Sequence, residues 1–143
     1  MLRYFHILIF LFLAACCEEK GEECPCYTEH QFPRYKGCAP GTIYDESSGC
    51  STMGLYEQLY SVLKYPQEAR DDSVEGRVTI AFDIYEDGSI GNYTVFKDTL
   101  GYGLADAAIE AIKTFNERGF CPAREQCDPV VYNFKLPVLF VLQ

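Results

Sequence analysis

Basic residues are scarce in this chain. Its 143 residues include 12 lysines and arginines against 21 aspartates and glutamates, which gives a net charge of −9 at pH 7. Nucleic acids and anionic membrane surfaces attract positive charge, so this balance argues against both as partners. Long apolar runs are also missing, because the run at residues 4–15 holds about a dozen residues and a helix needs roughly 20 to cross a bilayer. A membrane-spanning helix is therefore not expected.

Residues that commonly support catalysis are equally scarce. Only His30 among the two histidines lies outside the apolar run, so no Ser-His-Asp set can be assembled. The HExxH zinc motif and a phosphate-binding glycine loop are both absent from the sequence. The stretch Gly101-Tyr102-Gly103 predicts a turn before a helix, and the Asp71-Asp72 pair predicts a solvated loop. We expect a protein that is not an enzyme and that needs no cofactor.

The N-terminal segment has the features of an export signal. A basic residue, Arg3, precedes the apolar run, and small residues end it. The stretch Leu13-Ala14-Ala15-Cys16 resembles the bacterial lipobox, in which the signal is cleaved before a cysteine that carries diacylglycerol. We expect residues 1–15 to be a signal peptide and Cys16 to hold the lipid. The lipid would anchor the chain in the cell envelope, either on the periplasmic side or at the outer membrane, where display on the cell surface is included. A plain secretory signal, a short core helix and an uncleaved anchor containing His6 are the alternatives.

The cysteines predict disulfides. They are Cys16, Cys17, Cys24, Cys26, Cys38, Cys50, Cys121 and Cys127. An exported chain reaches an oxidising compartment, where disulfides are the usual state of such cysteines. Because Cys121 and Cys127 bracket a short loop, we predict that they pair with each other. The four cysteines at 24, 26, 38 and 50 can then form two further bridges in three alternative pairings, with Cys17 left over.

A four-cysteine metal site is the rival interpretation of Cys24-Pro25-Cys26 with Cys38 and Cys50. Its spacing differs from that of common zinc modules, which place two to four residues between paired cysteines. A redox site is disfavoured as well, because the motif is C-x-C rather than C-x-x-C. We therefore expect no metal.

Residues 16–52 and 53–143 differ in pattern. The first segment shows no period of 3.6 or 2, which predicts an irregular, cysteine-rich tether that bridges staple to the rest. The second predicts a domain with the order helix, strand, strand, helix, strand. Its first strand alternates strictly, with Val78, Ile80, Phe82 and Ile84 on one face. The Asp87-Gly88 dipeptide predicts the hairpin turn to a second strand at about residues 89–97.

The remaining elements decide the topology. The pattern of residues 103–119 predicts an amphipathic helix. The pattern after it predicts a third strand that has Val130, Tyr132, Phe134 and Leu136 on one face. That strand follows a helix, so it can pair antiparallel only with the first strand. We predict an α+β, two-layer fold with a three-stranded antiparallel sheet of order 2-1-3 and two helices on one face. Pro137 donates no ladder hydrogen bond, so the third strand should have an open edge, which also makes a homodimer a candidate state.

A series of short motifs within residues 55–143 resembles the C-terminal domain of TonB. These motifs are Tyr65-Pro66, Gly76 and Val78, Asp87-Gly88, the alanines at 107–111, Phe120 with Pro122-Ala123, Pro129-Val130, and Leu136-Pro137 with Phe140. Each motif alone is unspecific, whereas their order and spacing together are characteristic. The resemblance implies an αββαβ-type TonB C-terminal fold.

The resemblance also implies a binding module. TonB domains reach outer-membrane receptors for siderophores, vitamins or glycans, and a short receptor segment, the TonB box, adds as a strand to the edge of the sheet. By position, the peptide-binding edge would consist of Val131, Tyr132, Asn133, Phe134 and Lys135, beside the Tyr65-Pro66 turn. The implied partner is a peptide segment of an envelope protein or TonB-dependent receptor.

Two departures separate this chain from an energy transducer of that family. A transducer has a membrane-spanning anchor and a long proline-rich linker, whereas residues 4–15 are too few to span and residues 17–52 hold 3 prolines. Residues 61–64 also lack the glutamine-rich character associated with receptor contact. The sequence therefore predicts a stand-alone TonB-like lipoprotein. A structural lipoprotein without receptor binding is the alternative, as is a transducer if the N-terminus stays uncleaved.

Overall fold

The computed structural model describes residues 24–26, 29–36, 50–117 and 119–142. The predicted signal peptide, the predicted lipid site at Cys16, and Cys38 lie outside the described residues, as does the side chain of Cys50. No helix within these ranges is both long and apolar enough to cross a bilayer.

The described residues form both helices and strands. In order they are β1 (His30–Gln31), β2 (Arg34–Tyr35), α1 (Cys50–Val62), α2 (Gln67–Asp71), β3 (Gly76–Ile84), β4 (Ile90–Lys97), α3 (Leu104–Lys113) with a 3-10 turn (Thr114–Glu117), β5 (Phe120–Cys121), β6 (Ala123–Glu125), β7 (Asp128–Val130) and β8 (Tyr132–Phe140).

The central sheet has three antiparallel strands in the order β4-β3-β8. β3 is the middle strand and pairs with both others. Its alternate apolar residues bury one face of the sheet; these are Val78, Ile80, Phe82 and Ile84. β8 runs along the other side of β3, with Tyr132 opposite Ile84 and Phe140 opposite Gly76. In the order of the predicted strands this is 2-1-3, so the predicted sheet is confirmed.

Helices α1 and α3 share one hydrophobic core with the sheet, as predicted. α1 contributes Leu55 and Leu59, whose spacing of four residues places them on one helical face. α3 contributes Leu104, Ala105, Ala108, Ala111 and Ile112. α1 begins at Cys50, earlier than its apolar pattern predicts, and it ends at Val62, so Pro66 does not end it but precedes the short α2.

The hairpin turn between β3 and β4 anchors the chain segment that follows α3. Gly88 has a φ of +82°, a left-handed conformation that glycine adopts without a steric penalty. Its carbonyl accepts a hydrogen bond of 2.9 Å from the N–H of Phe120. The turn predicted at Asp87-Gly88 is therefore present, and it also positions β5.

Residues 24–26 and 29–36, which together we call the strap, fold against the C-terminal half of the domain. β1 pairs with β6 and β2 pairs with β5, both antiparallel. Tyr35 of β2 is buried in the core, with ring centroids 5.5 Å from Phe115 and 5.3 Å from Phe120. The prediction of an irregular tether is therefore wrong for the described part of this segment. Two-residue strands carry too little periodicity to be recognised in a sequence.

The predicted Cys121–Cys127 pairing is wrong. Cys24 pairs with Cys121 and Cys26 pairs with Cys127, with Cα–Cα distances of 5.3 and 5.5 Å. The short loop does not bring Cys121 and Cys127 together, because Cys127 lies at the tip of the β6–β7 hairpin and Cys121 lies before its base. The strand β6 separates them by roughly 10 Å. The bridges therefore staple the strap to the domain.

Candidate peptide-binding edge

β8 is an edge strand. It pairs with β3 on one side, and no strand of the described ranges pairs with it on the other. In an antiparallel sheet the N–H and C=O of one residue point to the same side, and those of the next residue point to the opposite side. Half of the backbone polar groups of β8 must therefore point away from the sheet.

Two tyrosines of α1 identify the outward-facing half. The Tyr56 hydroxyl donates to the carbonyl of Pro137 at 3.1 Å, and the N–H of Leu139 donates to the Tyr60 hydroxyl at 3.2 Å. By alternation, the backbone groups of Asn133 and Lys135 also point outward. No backbone hydrogen bond from another described element reaches these two residues on that side. We call the outward N–H and C=O groups of Asn133 and Lys135 the docking window.

The polar side chains at the window are held on the outer face of the sheet. Asn133 donates to the carboxylate of Asp83 at 2.7 Å, and Asn92 donates to the same carboxylate at 2.8 Å. These hydrogen bonds, the one from Asn133 first, hold the pKa of Asp83 below its ordinary value. The ammonium group of Lys135 lies 4.1 Å from the ring centroid of Phe96. Both side chains are thus drawn away from the edge, which leaves the backbone groups accessible.

The opposite face of the same stretch is aromatic. Tyr132 and Phe134 are half-buried, and Phe134 packs on Phe82 with centroids 5.5 Å apart. The strap adds Phe32, which contacts Tyr132 edge-on with centroids 6.0 Å apart and is 54% exposed. Val131, 51% exposed, lies just before the strand.

A cavity of about 230 Å³ opens between the strap and the start of β8. Its lining includes Phe32, Ala123, Val130 and Tyr132, together with the polar residues His30, Gln31, Arg124 and Glu125. The guanidinium group of Arg124 donates to the carbonyls of Cys127 and Cys24, so the strap and the hairpin are joined here. A side chain of an added strand would meet an apolar surface at this point.

Tyr65 and Pro66 lie far from the predicted edge residues, so the expectation that they flank that edge is wrong. The Tyr65 ring packs edge-on against Phe140, with centroids 5.4 Å apart, and its hydroxyl donates to the carbonyl of Val74. Phe140 is at the opposite end of β8 from Tyr132, roughly 25 Å away along an extended strand. The course of the chain after α1 takes Tyr65 to the far end of β8, and the sequence does not reveal that course.

The sequence interpretation missed Tyr56 and Tyr60. Their spacing of four residues places both on one helical face, and their rings stack with centroids 6.0 Å apart. That spacing was the available signal, but it gives no indication of what the hydroxyl groups contact. The strap residue Phe32 was missed because its position depends on the disulfide pairing.

The described residues offer no assembled metal centre, since no three His, Cys, Asp or Glu side chains are grouped there. Cys24 and Cys26 are in disulfides, so they cannot be thiolate ligands. This overturns the alternative of a metal site built on Cys24-Pro25-Cys26.

Comparison with known proteins points to one domain family. The family model for the Gram-negative bacterial TonB protein C-terminal matches residues 61–142. A solution structure of the Helicobacter pylori TonB C-terminal domain is 27% identical, covers 73% of this chain and 87% of its own, and gives a TM-score of 0.54. A shorter form of the same domain is 27% identical over 62% of this chain and 90% of its own, with a TM-score of 0.49. No curated protein matches the chain. The strap and most of α1 lie outside the residues that the family model matches.

Proposed function

Because the chain belongs to the family of Gram-negative bacterial TonB C-terminal domains, we propose that it binds a short extended segment of another envelope protein along the edge of β8. Members of this family are interaction modules of the cell envelope rather than enzymes, and they are associated with TonB-dependent transport. The proposed partner is a peptide segment of a TonB-dependent receptor or of another envelope protein.

The docking window is the observation that carries this proposal. Its two residues present two N–H donors and two C=O acceptors in the spacing of a strand partner, which is what strand addition uses for affinity. Each such hydrogen bond contributes about 0.5–1.5 kcal/mol net, while association itself costs about 4–15 kcal/mol. Backbone pairing alone therefore does not hold a peptide, and apolar contacts must add to it.

The aromatic face of the edge supplies a surface for those contacts. Alternate side chains of an added strand would point toward Phe134, Tyr132 and the exposed ring of Phe32. The cavity of about 230 Å³ beside them has room for an apolar side chain. The peptide segment should therefore carry branched aliphatic or aromatic residues at alternate positions.

The cellular setting of this binding module is the second part of the proposal. We place it on a stand-alone lipoprotein, anchored through Cys16 in the envelope, in which residues 53–143 together with the strap form the binding domain. The lipobox-like stretch supports this placement. The two disulfides support it as well, because disulfides persist in compartments outside the cytoplasm.

The test uses the purified full chain as bait in an envelope extract of the source organism. Asn133→Pro removes the outward N–H and leaves the β3 pairing intact, because the groups of residue 133 do not face β3. Asn133→Ala is the matched control, since it removes the side chain and keeps the N–H. We expect wild type and Asn133→Ala to recover the same envelope protein, and Asn133→Pro to lose it. Equal recovery by a folded Asn133→Pro protein, with folding checked by circular dichroism, would contradict the proposal.

A further inference from the structure

Tyr56 and Tyr60 occupy the part of the β8 edge that follows the docking window. The Tyr56 hydroxyl donates to Pro137, and the Tyr60 hydroxyl accepts from Leu139. Pro137 has no N–H, so its carbonyl is the only outward polar group at that position. The two side chains thus imitate the backbone partner that a neighbouring strand would provide.

Contacts within α1 and with the core hold Tyr56 and Tyr60 in fixed positions relative to each other. The rings stack with an interplanar angle of 17°, and both belong to α1, whose Leu55 and Leu59 are anchored in the core. Burial raises the pKa of Tyr56, with a further rise from Tyr60, so its hydroxyl remains a donor at neutral pH. These features hold the hydroxyl groups at the edge.

On the basis of the proposed function, we infer that Tyr56 and Tyr60 are positioning residues that end the docking window at Lys135. A bound peptide then pairs with Asn133 and Lys135 and leaves the sheet edge before Pro137. The site accordingly takes a short extended segment. It disfavours the long edge strand of a second copy of this chain, which would have to displace both tyrosines.

The energetic reason is an exchange of equivalent hydrogen bonds. A peptide that extends past Lys135 gains a bond to the carbonyl of Pro137 or to the N–H of Leu139 only by breaking the tyrosine bond already present. The net gain from pairing with these two groups is then close to zero. Without the hydroxyl groups nothing is lost, and each new bond strengthens binding by about fivefold, the ratio for one neutral hydrogen bond.

The experiment needs a peptide that binds at the window. Random peptides displayed on phage are selected on the purified wild-type protein, with counter-selection on Asn133→Pro, and the tightest binder is synthesised. Versions of it are then lengthened at each end, so that one series grows past Lys135 toward Leu139. Affinities are measured on wild type, on the Tyr56→Phe/Tyr60→Phe double variant, and on Tyr102→Phe. The last variant removes the hydroxyl of an exposed tyrosine that lies before α3.

The expected result is that lengthening toward Leu139 leaves the affinity of wild type and Tyr102→Phe unchanged. The double variant should bind the lengthened peptide about fivefold tighter for each hydrogen bond gained. Amide exchange in the free protein gives a second readout, because the N–H of Leu139 should exchange about fivefold faster in the double variant than in wild type. An equal gain from lengthening in wild type and double variant, or an unchanged Leu139 exchange rate, would overturn the inference. Failure of the proposed function would give a different result, because no selected peptide would then bind wild type more tightly than Asn133→Pro. That result would contradict this inference as well.

Discussion

The two disulfides should stabilise the protein in a strongly non-additive way. They join the same two chain segments in parallel, since Cys24 and Cys26 of the strap pair with Cys121 and Cys127. To test this, the two cysteines of one bridge, or all four cysteines, are replaced by alanine. Replacing cysteines in pairs leaves behind no unpaired thiol from a removed bridge. Either bridge alone keeps the strap attached, so the second bridge adds less than it would by itself.

The magnitude follows from the loops that each bridge closes in the unfolded chain. The sequence separations are 97 and 101 residues, and a lone bridge over about 100 residues stabilises by about 4.7 kcal/mol in the chain-entropy description. With one bridge in place, the other closes a ring of only about ten residues, which corresponds to about 2.7 kcal/mol. Removing either bridge should therefore lower the free energy of unfolding by about 2.7 kcal/mol, and removing both should lower it by about 7 kcal/mol. The loss from removing both bridges is comparable with the total free energy of unfolding of many domains.

The assay is urea unfolding of the oxidised protein, followed by far-ultraviolet circular dichroism, for wild type, Cys24→Ala/Cys121→Ala, Cys26→Ala/Cys127→Ala and the fourfold variant. A fourfold variant whose loss equals the sum of the two separate losses would refute the parallel-loop reasoning. A loss near 4.7 kcal/mol for either bridge alone would refute it as well.

Two further predictions concern the hairpin turn and the acid range. Gly88→Ala should lower the free energy of unfolding by about 3 kcal/mol or more, because the new Cβ would lie 1.9 Å from the carbonyl oxygen of Phe120. Gly101→Ala, with a similar positive φ and no atom within 4 Å, should cost only about 1 kcal/mol, and equal losses in thermal unfolding would contradict the steric argument. Since the folded-state pKa of Asp83 is lowered, its stabilisation is present above the unfolded pKa of about 4 and is lost as the pH falls through the folded pKa. Nuclear magnetic resonance titration should show a lowered midpoint that rises toward its ordinary value in Asn133→Ala, and an unchanged midpoint would contradict the assigned cause.

Local patterns predicted most of the domain correctly. The strict alternation of β3, the apolar stripe of α3 and the turn at Gly88 each depend on residues within a few positions of one another. Strand order followed from connectivity, because a strand that returns after a helix can pair antiparallel only with the first. Pro137 indicated the exposed edge, and β8 has that edge in the structure.

The errors concern contacts between distant parts of the chain. The pairing of Cys24 with Cys121 spans 97 residues, and nearness in sequence favoured the wrong partner for Cys121. The resemblance to TonB domains implied that Tyr65 lies beside the docking residues. The course of the chain after α1 instead takes Tyr65 to Phe140. Neither outcome leaves a periodic mark in the sequence.

The sequence by itself determined the two long helices, the three strands of the central sheet, their order and the strand that forms the open edge, because backbone geometry converts short-range spacing directly into buried and exposed faces. Only the tertiary structure decided how much of that edge is available. The tyrosine hydroxyls reach β8 from residues 81 and 79 positions away. The strap, which the disulfides link to the domain, brings Phe32 to the start of β8. Such contacts depend on how the packed core sets α1 and the strap against the sheet, and no local pattern encodes that placement.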